Sequence, residues 1–140
     1  MGVSLVIANA ITLFHIFVIL FVILAPFTGN SALLVLHLSI CLGLLTHWAS
    51  NQNICSLTLM EAHFRGLERS KTFTHQCIAP IYDIGDKDWN QLVIVLTAIL
   101  GLISAYNLYY HPNFKKFIKC LDRKKSFSEN CKCLAILFAP

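Results

Sequence analysis

A chain of 140 residues has room for one domain at most, and 56% of it is hydrophobic against 13% charged. A soluble domain carries about 25% charged residues, so this composition excludes a water-clad globule and fits a bundle whose outer surface meets lipid. The net charge of +4 is split: residues 111–140 hold seven Lys/Arg against two Asp/Glu, while residues 1–110 hold four against five. A basic tail on an apolar body points to a membrane surface and away from nucleic acid.

Val3 to Ala25 is an uncharged apolar run, long enough to span at about 1.5 Å rise per residue. It has no basic leader and its apolar run is too long for a signal peptide, so it reads as a retained first span. Pro26, Gly29 and Asn30 break it, and Ser31 is a candidate helix N-cap. Ala32 to Trp48 is the second span. The short turn before it makes the first two spans antiparallel neighbours.

The segment 49–88 is the most polar part. "TLME", Thr58 to Glu61, has the pattern of a capping box. Glu61 precedes Arg65 by four residues, the favourable order for an ion pair. Leu59 or Met60, Phe64 and Leu67 recur on one face. A short helix, Leu59 to Glu68, is therefore predicted to lie as a lid on the bundle mouth with its apolar face down. Phe73 to Tyr82 reads as a second half-apolar piece that ends in an extended turn at Pro80. Asp83 to Asp88 lacks the ligand spacing of a calcium loop and reads as a turn. Cys55 and Cys77 can pair if the segment faces an oxidising compartment; the alternative is two reduced, buried thiols.

Trp89 to Tyr110 is the third span, with Asp88 as its cap. Ala98, Gly101 and Ala105 form a small-residue stripe for close helix packing, within the chain or with another protomer. Trp48 and Trp89 mark one membrane face and Tyr106, Tyr109 and Tyr110 the other. In the tail, residues 111–140, Phe114, Phe117, Ile118 and Leu121 recur at helical spacing. Lys115, Lys116, Lys119 and Arg123 project elsewhere, followed by Lys124 and Lys125. This is a basic amphipathic helix for an anionic leaflet, and it places the C-terminus on the cytoplasmic side. Cys120, Cys131 and Cys133 are juxtamembrane candidates for acylation. The ending "CLAILFAP" is too short to span.

"CSLTLMEAHFR" resembles the C-P-L-T-x-x-E-x-x-x-R signature of a family of small uncharacterised bacterial membrane proteins, through Cys55, Leu57, Thr58, Glu61 and Arg65. His37 and Gly43, then Phe73, Pro80 and Tyr82, extend the resemblance over residues 5–110. Ser56 stands where the signature has proline. Similar predicted membrane proteins occur in large DNA viruses. The resemblance implies this architecture and no mechanism.

Intramembrane polar residues are the remaining candidates. Asn9, Thr12 and His15 share a face of the first span, and His37 and Cys41 are i,i+4 on the second. In an antiparallel hairpin His15 comes level with Cys41. A His15–His37–Cys41 metal site or a bis-histidine haem is the sharper reading, and interhelical hydrogen bonding the plainer one. Cys55 with His63 or His75 as base has no motif behind it, so an enzyme is not expected. The expectation is an all-α integral membrane protein of three spans, residues 3–25, 32–48 and 89–110, with a scaffold or assembly role, in a viral membrane among others, and no cofactor. The alternatives are a metal or haem redox protein and an oligomeric small-molecule carrier or channel.

Overall fold

A computed structural model describes residues 2–67, 86–121 and 132–138. The order is α1 (Gly2–Leu24), a 3-10 turn (Ala25–Phe27), α2 (Ser31–Ser50), α3 (Ser56–Arg65), α4 (Asp86–Tyr110), α5 (Pro112–Leu121) and a 3-10 turn (Ala135–Phe138). The described residues contain no strand. Phe73–Tyr82, Cys77, His75, residues 83–85, Arg123–Lys125 and Cys131 lie outside them.

Three helices are long and apolar enough to cross a membrane. Each buries a single stripe. On α1 it is Ala8, Thr12, His15 and Val22, on α2 Ser31, Leu34, His37, Cys41 and Trp48, and on α4 Thr97, Leu100, Gly101, Ser104 and Leu108. Leu13, Phe14, Phe17, Leu36, Leu42, Leu96 and Leu102 face outward. Polar side chains inside and Leu/Phe outside is the pattern of a bundle solvated by hydrocarbon, where polar groups find partners only in the interior.

Pro26 ends α1 because it supplies no amide for a further helical turn. The chain reverses through Gly29, at φ +65°, a left-handed conformation suited to glycine. Asn30, not Ser31, caps α2: its Oδ1 accepts from the amides of Ala32 (2.9 Å) and Leu33 (3.2 Å). The Ser31 hydroxyl is engaged elsewhere, donating to the Leu137 carbonyl at 2.6 Å, so the C-terminal turn docks on the start of α2. Two carbonyls of the reversal find donors on the far end of α4: Asn107 donates to Pro26 O (2.9 Å) and His111 Nε2 to Gly29 O (3.1 Å).

α4 begins at Asp86, so Asp88 sits within the first turn and is not the cap. α2 packs along α4 most extensively. Within the small-residue stripe, Gly101 is buried against Cys41, while Ala105 is exposed.

α3 departs from the expected lid. It packs lengthwise and antiparallel on the N-terminal half of α1, with Cys55 beside His15 and the Ser4 hydroxyl donating to the Phe64 carbonyl. The buried side is polar: Glu61 is 1% exposed, whereas Leu59 and Met60 are 40% and 47% exposed. α1 offers Asn9, Thr12 and His15, which need polar partners in an apolar setting: Arg65 supplies them to Asn9 and Thr12, and Cys55 faces His15.

Candidate functional site

The "TLME" capping box does not form. α3 starts at Ser56, two residues earlier, which puts Thr58 inside the helix. The first amide is capped from α2: His47 Nε2 accepts from Ser56 N–H at 3.3 Å and lies 3.0 Å from its hydroxyl. Glu61 instead pairs with Arg65 at 3.0 Å, and Arg65 Nη2 donates to Asn9 Oδ1 and Thr12 Oγ1, both at 3.0 Å. One charged pair thus fastens α3 to α1.

A second polar cluster joins the three long helices. His37 is fully buried. Its Nε2 donates to Val22 O on α1 (3.0 Å), and its Nδ1 accepts from the Ser104 hydroxyl on α4 (2.8 Å). Cys41 Sγ lies 3.4 Å from the ring. Val22 O can only accept, so Nε2 carries the proton of that bond. Each such bond contributes about 0.6 kcal/mol in a membrane, so the cluster fixes register more than stability.

The structure does not assemble His15, His37 and Cys41. His15 turns to α3, with Nε2 3.8 Å from Cys55 Sγ, while His37 is held by Val22 and Ser104. Among the described residues no group of three or more His, Cys, Asp or Glu is arranged to hold a metal.

Beside the core, α1, α2, α4 and the start of α3 line a partly open cavity of about 240 Å³. Val18, Ile19, Val22, Leu44, Val93 and Leu100 make its apolar wall, and the deep end continues into the core of Val22, Cys41 and Leu100. Its polar side chains include His15, Asn53, Cys55 and Thr58, with Trp48 and Trp89 at the same end. Trp48 is buried and walls the cavity, so it is not a lipid-facing belt residue. Tyr106, Tyr109 and Tyr110 are exposed at the opposite end of α4 and stack on one another.

Cys55 is a free thiol and so is not bridged to Cys77. Burial pushes its pKa up. The hydrogen bond from His15, the amides of Thr58 and Leu57 and the charge of His15 outweigh that and bring it from 9.0 to about 7. His63, the base considered from sequence, is exposed and stacks edge-on against Phe64.

In the tail, α5 carries exposed Lys115, Lys116 and Lys119. His111 caps it through Nδ1, which accepts from Asn113 N–H at 3.2 Å, and Pro112 occupies its first position. Cys120 and Cys133 form a disulfide, so neither is an acylation site. The pairing follows from the docking of the Ala135–Phe138 turn beside α5 and on α2. No protein-family model, curated protein or solved structure matches this chain.

Proposed function

We propose that the chain spans a membrane three times and holds a small, predominantly apolar molecule between its spans. The cavity carries this reading: hydrocarbon walls, and a polar end made by α3 and the start of α4. Such a site suits a ligand with an apolar body and one polar end. The cavity lies within a single chain, so ligand binding requires no oligomer. The test is solvent extraction of the protein purified in mild detergent, followed by mass spectrometry, with Val93→Trp as the cavity-filling control. A molecule enriched on the native chain and lost from the variant supports the reading; identical lipid content in both sinks it.

A scaffold or assembly role is the second reading. Exposed Leu/Phe surfaces and the basic face of α5 favour it, whereas Gly101 is already spent on internal packing. Self-association and co-purifying membrane proteins in mild detergent support this role, and a strict monomer without partners removes it. The lysines of α5 fit an anionic leaflet and favour a cytoplasmic tail. The Cys120–Cys133 bridge weighs against that orientation, because cytosolic disulfides are rare.

A further inference from the structure

Cys55 and His15 meet at the cavity wall, one from the start of α3 and the other from mid-α1. Cys55 is half-buried in the cavity wall, and His15 is 9% exposed, with Nε2 toward the sulfur. A thiol, a base and an apolar cavity running from them define a ligand with a long hydrocarbon body and an electrophilic end. We propose that Cys55 is a covalent acylation site: it takes a long-chain acyl group from an acyl thioester, with His15 as base, and the cavity holds the chain. This rests on the cavity being a ligand site.

The step balances without further reagents. His15 Nε2 takes the thiol proton, and the Cys55 sulfur attacks the thioester carbonyl carbon. A C–S bond to Cys55 forms, the donor's C–S bond breaks, and the departing thiolate recovers the proton from His15. One thioester replaces another, with no oxidant, reductant or water consumed. A thioester suits this pair because its leaving group needs only that single proton, which one imidazole can carry. The amides of Leu57 and Thr58, at the start of α3, favour the thiolate before it attacks.

The experiment uses the full chain in mild detergent, incubated with palmitoyl-coenzyme A or acetyl-coenzyme A and followed by intact mass and peptide mapping. One palmitoyl group is expected on Cys55, removable by neutral hydroxylamine. Acetyl transfer should be at least about tenfold slower, since each buried methylene favours the long chain. Cys55→Ser should leave that peptide unlabelled. His15→Gln should slow transfer by about a hundredfold at pH 7, and the deficit should shrink toward pH 10, where the thiol ionises unaided; a merely structural defect gives no such pH dependence. Val93→Trp should lose palmitoyl transfer and keep acetyl transfer. The proposal is overturned if Cys55 stays unacylated in protein where iodoacetamide still alkylates it, or if both donors react equally fast. A brominated fatty acid separates it from the cavity reading through quenching of Trp48 and Trp89. Quenching without acylation removes this proposal alone; absence of both removes the two together.

Discussion

Alkylation of Cys55 should be half-maximal near pH 7, and His15→Gln should move that midpoint upward. The thiol is brought from 9.0 to about 7 because the hydrogen bond and charge of His15 and the amides of Thr58 and Leu57 outweigh burial. At pH 7 about half of such a thiol is ionised, against about 1% for one at 9.0. A low-pKa thiolate is also a poorer nucleophile, with a Brønsted coefficient of about 0.4–0.5, so its plateau rate falls by roughly six- to tenfold. Half-burial slows it further. Absolute rates therefore mix three effects, and the ratio of rates at pH 7 and pH 10 within one protein isolates ionisation. That ratio should be about one half for the native chain, and below about 1% if His15 and the amides had no effect, because burial alone raises the thiol above 9.0. The assay is iodoacetamide labelling with acid quench and mass detection, in protein carrying Cys77→Ser and Cys131→Ser; Cys41 is buried and Cys120 and Cys133 are bonded. A native midpoint at 9 or above would refute the pairing of Cys55 with His15, as would a midpoint unchanged in His15→Gln.

Arg65→Met should cost about 1–3 kcal/mol, because it removes the bond to buried Glu61 together with those to Asn9 and Thr12, as read by thermal unfolding in detergent. Cys133→Ser opens a bridge between residues 13 apart and should cost about 3 kcal/mol by the chain-entropy argument, with reductant doing the same to the native chain. Gly101→Ala should be tolerated, its new Cβ meeting Cys41 Cβ at 3.6 Å, whereas Gly101→Leu should force α2 from α4 and lower the melting temperature sharply. Maleimide applied to each side of sealed native membranes, before and after reduction, should label Cys55 and the Cys120–Cys133 pair from opposite faces; labelling from one face would overturn the three-span topology.

The three long apolar helices are legible because composition alone writes them: long runs without charge, the first two separated by Pro26, Gly29 and Asn30. The polar residues inside them were legible as interior groups, but their partners were not. His15 meets a sulfur 40 residues away, and His37 meets Ser104, 67 residues away, which no local spacing encodes. The error over α3 is of another kind. Apolar periodicity alone turns Leu59 or Met60, Phe64 and Leu67 inward, whereas Leu59, Met60 and Leu67 are exposed. The polar partners decide instead: Glu61 is buried with Arg65, which reaches Asn9 and Thr12 on α1, and Leu59 and Met60 are left exposed.

The same structure bears on orientation, where one sequence rule stood alone. Seven basic residues in the tail favour the cytoplasmic side. The tail leaves the far end of α4, a helix of 25 residues and so about 37 Å, from the end where Trp89 and Cys55 share the cavity. With the tail cytoplasmic, the disulfide lies on the reducing side and the free thiol of Cys55 on the oxidising side. With the tail outside, both cysteine states match their compartments, and Cys55 faces the side where a thiol persists. One covalent observation, the Cys120–Cys133 bridge, thus opposes one charge tendency, and the positive-inside rule orients proteins by bias without forbidding the reverse. Labelling of Cys55 and of the reduced Cys120–Cys133 pair from known sides of the membrane separates the two orientations.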